Sequence, residues 1–455
     1  MTLSGAYADF VRGLEHDDVP EATMVQTKKL LLDLVGVALA GYELMPFPRL
    51  VVDYLAELGG KPEATVIGAP ERLPAPIAAL ANAVCAHALD MDDGHRFGAL
   101  HPGTVIIPAA LAAAEAAGAS TRELLIGMVA GYEVMIRIGR AINPSSLNRG
   151  FHATGITGVF GATAAAGRIM GLGREQMVGA FGLAGLQASG VLQVNHDADG
   201  ARVKPINPAK AAQSGIYAVA LAERGAKGPT EIFEGPDGFF QAFCDRVDED
   251  AAVEGLGSVF EIDKAYLKLY AACRHAHASL DALLEAWPQE ADPETIREIV
   301  VETYPAAIRL AGIQAPGTAS AARFSIPFTL ALGVRFRDAA ADRFAESAVE
   351  DEALNALAAK VRLVSSEHWE SLYPGKRGAT VTITADGGSY SAKVDLAKGE
   401  PENPASWEEV RAKFLKNAEL VLARQKAEAL ARDIGNLDHL ELPALTDALA
   451  VPGKA

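Results

Sequence analysis

Residues 82–108 read NAVCAHALDMDDGHRFGALHPGTVIIP, two Ala-rich apolar segments joined by a short polar link. The part up to Leu89 has the small-residue composition of a buried helix, and Asp90, Asp92, Asp93 and Gly94 interrupt it. A second helix can begin just after Pro102 and run to Ala117. The pair predicts an antiparallel helical hairpin and, with it, a helical body. Between the helices lie the carboxylates of Asp90, Asp92 and Asp93 and the imidazoles of His87, His95 and His101. Ionisable groups set between apolar segments are costly unless they are paired or used, which makes the link the first candidate site. The N–H groups opening the second helix are expected to be free to bind an anion. A calcium loop counted from Asp90 would need glycine where His95 stands and glutamate where His101 stands, so the pattern fails. A solvated Asp-rich turn is the plainer alternative.

Outward from this link, helical patterning predicts helices over residues 7–14, 20–41, 47–58, 75–89, 104–117 and 121–142. Gly118 closes one, and Ser120 with Glu123 forms a capping box for the next. Asp33, inside an apolar tract, is expected to pair at a helix crossing. Gly155, Gly158 and Gly161 recur every third residue, which suits close helix packing; no β-branched strand precedes them as a dinucleotide fingerprint requires. His152, at the start of that helix, is placed where a charged imidazolium is disfavoured and a neutral base stays available. A helix over 176–192 is then followed by a loop at 195–215 carrying Arg202, Lys204 and Lys210. The stretch 264–281, KAYLKLYAACRHAHASLD, gathers Lys268, Cys273, Arg274, His275 and His277 without zinc-ligand spacing, and reads as an anion-facing loop.

From about Thr295 the patterning changes. Residues 297–304, 357–366, 378–385 and 388–396 alternate or are β-branched, with Asp386-Gly387-Gly388 as a hairpin turn. Helices over 325–334 and 350–359 interleave, and a long amphipathic helix follows over 408–430. The fold class expected is mainly α: an all-helical domain over 1–266, an inserted α+β domain over 267–400, and helices over 401–455 rejoining the first.

Half of the 455 residues are apolar, enough for a large core, and only 6% are aromatic, which suits closely packed helices. A formal charge of −17 argues against nucleic-acid and anionic-membrane partners, both of which need a basic face. The three cysteines, Cys85, Cys244 and Cys273, show no disulfide or zinc pattern, and the first residues lack a signal-peptide pattern, so a cytoplasmic location is expected.

Six stretches together carry a resemblance: HALDMDDGHRFGALHPG, GFHATGITGVFGATAAAGRIMGL, VKPINPAKAA, KLYAACRHAHASLDA, AARFSIPFTLA and KGEPENP. In this order over nearly the whole chain they resemble the MmgE/PrpD family, which includes 2-methylcitrate dehydratases, cis-aconitate decarboxylases and iminodisuccinate epimerases. The resemblance implies a large helical domain with a smaller α+β lid, a cleft between them, a homodimer, and no required metal or organic cofactor. By motif position it implies active-site roles for Asp90, His101, His152, Lys204 and Lys268. Asp93, His95, Lys210, Cys273, Arg274 and His277 are the residues expected to line a small anionic carboxylate substrate. Gly94 and Cys273 stand where the decarboxylase pattern has threonine and histidine, and Asn207 and Ala271 stand where the family's KPLH and KxYP runs have histidine and proline. These departures turn the expectation away from cis-aconitate decarboxylation, and the CR and HxxxD pattern from Cys273 to Asp281 is more similar to the dehydratase and epimerase branch, so the leading expectation is a hydro-lyase acting on a hydroxylated di- or tricarboxylate such as 2-methylcitrate. An epimerase or isomerase, a cis-aconitate-type decarboxylase and an inactive scaffold are the alternatives.

Overall fold

The computed structural model describes residues 2–195 and 200–451. It is mainly α, as the sequence predicts. The chain divides into two compact units, one of Met1–Ala88, Asp92–Ala265 and Trp407–Ala455, the other of Leu89–Met91 and Tyr266–Ser406.

The first unit is built from helices α1 (Leu3–Gly13), α2 (Glu21–Leu44), α3 (Pro46–Leu58), α4 (Ala75–His87), α5 (Gly103–Ala117), α6 (Thr121–Ile142), α7 (Ser145–Asn148), α8 (Ala153–Ile169), α9 (Arg174–Gly185), α10 (Gly200–Val203) and α11 (Ile206–Glu223). Small and apolar on every side, α8 is buried without interruption from Ala153 to Gly167 and packs against α5, α6, α9 and α11. A Cβ at Gly158 would lie 3.0 Å from Val105, and one at Gly161 would lie 2.5 Å from Ile106 and 2.7 Å from Met135. Those glycines therefore serve helix packing. The capping box of α6 forms as predicted: Glu123 Oε2 accepts from Ser120 N at 2.7 Å and Ser120 Oγ accepts from Glu123 N at 3.2 Å. Gly118 ends α5 at φ 63°. Asp33 on α2 meets Lys413 at 2.6 Å, both buried, on a helix crossing it at Trp407–Ala418.

Three predicted elements differ. The helix expected over 176–192 stops at Gly185, a residue of poor helix propensity where a Cβ would sit 2.2 Å from Ile232. The loop expected over 195–215 has residues 196–199 outside those described, and its second half is α11, opened by Pro205 at the N-cap. The helix expected over 408–430 is two helices, Trp407–Ala418 and Arg424–Gly435, because Leu422 turns inward and Ala423 goes extended. Among the described residues, no single helix is long and apolar enough to cross a membrane.

The second unit carries a four-stranded sheet in the spatial order Val361–Ser365, Ile296–Thr303, Ala379–Ala385, Gly388–Val394. The first pair is parallel and the other two are antiparallel. The last pair closes through Asp386 and Gly387 as a two-residue hairpin, with Ala385 opposite Gly388. Ile299, Val301, Val381 and Ile383 point to one face and are fully buried. The helix Arg274–Ala286 packs on the two C-terminal strands, and the helix Ile326–Phe336 packs on it in turn.

Candidate functional site

In the first unit α4 ends at His87 and α5 opens at Gly103, so the polar link is anchored at both ends. The Asp92 carboxylate lies 2.8 Å from His87 Nδ1 and 3.6 Å from His101 Nδ1. His101 Nδ1 is also 2.8 Å from the Asp93 carbonyl oxygen. A carbonyl only accepts, so Nδ1 carries a hydrogen, and in the neutral ring Nε2 is the basic nitrogen. Thr154 on α8 accepts from the His101 backbone N–H at 3.1 Å. The ring of His87 lies 5.1 Å from that of His101 and 6.1 Å from that of His152, which makes three imidazoles around one carboxylate.

The helix N-terminus predicted to be open is already occupied. Asp93 Oδ1 accepts from Gly103 N at 2.9 Å, and Tyr132 Oη donates to Oδ2 at 3.0 Å. A Cβ at position 103 would come within 2.4 Å of Asp93 Oδ1, so the glycine is what admits the carboxyl. Burial, followed by the charge of Asp92, pushes Asp93 up to about 8, making it a neutral acid at pH 7. Asp93 thus serves the frame of the link rather than a ligand.

His152 is the N-cap of α8, but its side chain makes no capping bond. It is 5% exposed, and its Nδ1 has no hydrogen-bond partner among the described residues. Burial, then the Lys204 ammonium and the neighbouring imidazoles, hold it well below the usual histidine range. It is a neutral base at pH 7. Lys204 is half-buried in the turn before α11. A Cβ built on Gly190 would lie 3.6 Å from both Asn207 and His152, which sets the start of α11 beside the imidazoles.

Two expected ligand-lining residues of this unit point elsewhere. Lys210 sits on α11, exposed, and donates to Gln213 at 3.0 Å. His95 accepts from Gly98 N through Nδ1 at 3.0 Å and lies 3.5 Å from Glu261 through Nε2, both groups buried. Its place in the cluster is taken by His87 and Asp92, which the sequence places in the same stretch without ranking them above His95 and Asp93. His87, Asp92 and His101 each offer one donor atom within 4.8 Å of the others, a spacing that suits a divalent cation. In the arrangement present, both Nδ1 atoms are engaged by Asp92 and the Asp93 carbonyl.

The second unit has its own polar cluster. Asp90 adopts a left-handed backbone, φ 50°, and Lys268, 1% exposed, donates to its carbonyl at 2.6 Å and to its Oδ2 at 3.1 Å. The anion-facing loop expected around Cys273 is instead the start of the helix Arg274–Ala286, with Cys273 at its N-cap. Arg274 Nε donates to Glu400 at 3.0 Å, and its Nη1 lies 3.2 Å from His277 Nδ1. Arg274 and His277, both buried, are held by the unit's own groups. His275 lies 2.5 Å from Tyr304 Oη, and burial, then Arg377 and Lys268, push it down to about 3.

These shifts fix a pH dependence. An unfolded histidine binds a proton near 6.5, while folded His152 and His275 stay neutral far lower, so their contribution is present above pH 6.5 and lost as pH falls below it. Asp93, raised to about 8, acts oppositely: its contribution is full near pH 4 and lost as pH rises through 8. The histidine contribution therefore weakens as pH falls from 6 to 4.5, and the urea midpoint is expected to change less favourably over that range in the wild type than in His152→Gln. An equal change in the two proteins would refute the assignment of His152 as a buried neutral base.

Comparison with known proteins converges on one lineage. The chain is 26% identical over 468 residues to a cis-aconitate decarboxylase of Aspergillus terreus, covering 97% of this chain and 94% of that protein. It is 25% identical over 462 residues to a cis-aconitate decarboxylase-like protein of Aspergillus oryzae, with 96% and 94% covered. It is 25% identical over 464 residues to the cis-aconitate decarboxylase of Mus musculus, with 97% and 91% covered. Residues 5–251 match the MmgE/PrpD N-terminal domain and residues 270–438 the MmgE/PrpD C-terminal domain. With both domains matched in order and nearly end to end, the chain belongs to the MmgE/PrpD family.

Proposed function

We propose that this protein is a lyase acting on a small polycarboxylate, with proton transfer at the carbon next to a carboxylate as its central step. The observation that carries the reading is the pair of imidazoles, His101 with its Nε2 lone pair and His152 held neutral, set around Asp92 with Lys204 nearby. Moving such a proton needs a base that is neutral at working pH and a cation where negative charge accumulates. His152 and His101 are the proton-transfer pair in this reading, and Lys204 is the cation. Lys268 with Asp90 is retained as a second catalytic pair.

Dehydration of a hydroxylated di- or tricarboxylate is the leading chemistry. One neutral imidazole removes the proton, a C=C bond forms, and the leaving hydroxide takes that proton back from the imidazolium so formed, directly or through the second imidazole, and departs as water. Gly94 and Cys273, the departures from the decarboxylase pattern, favour it. Decarboxylation of a cis-aconitate-like acid is the second reading, favoured by what the relatives are named for. Incubation with 2-methylcitrate, citrate and cis-aconitate in deuterated water separates them. Ultraviolet absorbance from a new C=C with no carbon dioxide supports dehydration, and carbon dioxide from cis-aconitate supports decarboxylation. Deuterium in recovered substrate with neither product marks an epimerase. No turnover of any polycarboxylate would sink the proposal.

A further inference from the structure

Within the second unit, Arg323 is 2% exposed. Its Nη1 donates to the carbonyl oxygens of Ala271 at 3.1 Å and Leu89 at 3.4 Å, and the guanidinium lies 5.0 Å from the Phe344 ring centroid. The plane is thereby fixed on one edge and one face. The opposite edge is different: Nε and Nη2 are both buried and have no hydrogen-bond partner among the described residues. These two N–H groups form the side-on fork of a guanidinium, whose parallel donors match the two oxygens of a carboxylate. Leaving such donors unmet in the interior is strongly unfavourable, so an unpaired complete fork points to a bidentate acceptor.

Arg323 lies among other buried cations of the same unit. Lys268 Nζ takes the carbonyl of Asp90 while Arg323 takes that of Leu89, so the two buried cations grip adjacent peptide groups of one three-residue segment. The Asp90 carboxylate accepts from Lys268. Arg274 has Glu400 as its own partner. Glu346 accepts from the Ala319 N–H at 2.9 Å and reaches Arg323 only through its field. Burial outweighs the fields of Asp90 and Glu346 and lowers Arg323 to about 10.

We propose that the Nε–Nη2 edge of Arg323 is a carboxylate-binding site that seats one carboxylate of a polycarboxylate ligand bidentately, with Lys268 supplying the adjacent positive charge. This rests on the polycarboxylate reading above and names the group that would select for it. Tricarballylate, which carries three carboxylates and no hydroxyl, is the probe, with butyrate as the monocarboxylate control; binding is read by calorimetry on the full chain. Arg323→Gln, which keeps polar bulk but loses the charge and the fork, is expected to weaken tricarballylate by more than about 30-fold, and Arg323→Lys, which keeps charge without the fork, by about 10-fold. Circular dichroism reports whether either variant folds. In wild-type protein labelled with [15N]arginine, one buried Nε–H resonance is expected to shift on saturation, which needs no variant. Equal affinity in wild type and a folded Arg323→Gln, or no Nε–H shift, overturns the site while leaving the proposed reaction standing. Carboxylate binding at Arg323 without turnover removes the reaction and keeps the site. No carboxylate binding in wild type removes both.

Discussion

Replacing His152 by glutamine is expected to lower kcat by about 10²–10⁴-fold on the active polycarboxylate, the usual contribution of a positioned acid or base. The substitution is a clean probe because His152 caps α8 by its backbone alone: its side chain makes no capping hydrogen bond, so the helix loses no terminal partner. Nδ1 has no hydrogen-bond partner among the described residues to be stranded by the change. The helical circular dichroism signal and the pH 7 melting temperature should therefore stay close to wild type. KM is expected to change far less than kcat, since a proton-transfer group acts mainly in the transition state. A second signature comes from the acid limb of the rate profile, where loss of a base held well below the normal histidine range moves the remaining titration to another group. A glutamine variant with more than a tenth of wild-type turnover would remove His152 from the reaction.

How much of this was legible in the sequence depends on the distance over which each feature is encoded. The helices α4, α5 and α6 are local: small apolar residues, Gly118 at φ 63° and the Ser120–Glu123 box mark their ends within a turn. The glycine spacing of α8 is legible for the same reason, because close approach needs small residues at helical period whatever the partner. The site was legible only as a region. His101 and His152 stand at helix starts and announce themselves, but the choice of His87 over His95 depends on how an eight-residue stretch, Asp92–Ala99, turns before Leu100. That turn pairs His95 with Leu100 across an isolated bridge and sends its ring towards Glu261. No composition rule carries that information.

Polar groups also satisfy one another, which a sequence does not display. Asp93 was expected to face a ligand and instead fills the amide site opening α5. Arg274 and His277, a basic pair by composition, bond to each other and to Glu400 and backbone carbonyls. Arg323 is the converse, one arginine in an apolar run, AARFSIPF, where nothing nearby in sequence signals that Leu89 and Ala271 would take one edge of it. Charged residues thus divide into those that build the frame and those left with capacity for a ligand, and the division follows tertiary contacts.

The Lys268–Asp90 pair gives the second large effect, on stability. Lys268 is 1% exposed and Asp90 8%, so the ammonium and carboxylate meet where water contributes little. Two bonds are involved, since Nζ also takes the Asp90 carbonyl, and that carbonyl belongs to a residue held at φ 50°, a left-handed conformation costly for a residue with a Cβ. Lys268→Met preserves the stem's bulk and removes the charge. It takes the ammonium away from a buried carboxylate and the clamp away from the left-handed turn, at a cost of about 3–5 kcal/mol. Asp90→Asn alone should cost less, because the amide oxygen still accepts from the ammonium. Combining Lys268→Met with Asp90→Asn removes the carboxylate charge as well and should recover part of the loss, giving a positive coupling in a double-mutant cycle read by urea denaturation at pH 7. If the pair instead contributes only electrostatics of an exposed kind, Lys268→Met will lie within about 1 kcal/mol of wild type and its effect will vanish in salt. Burial of both partners argues for the larger loss, insensitive to salt.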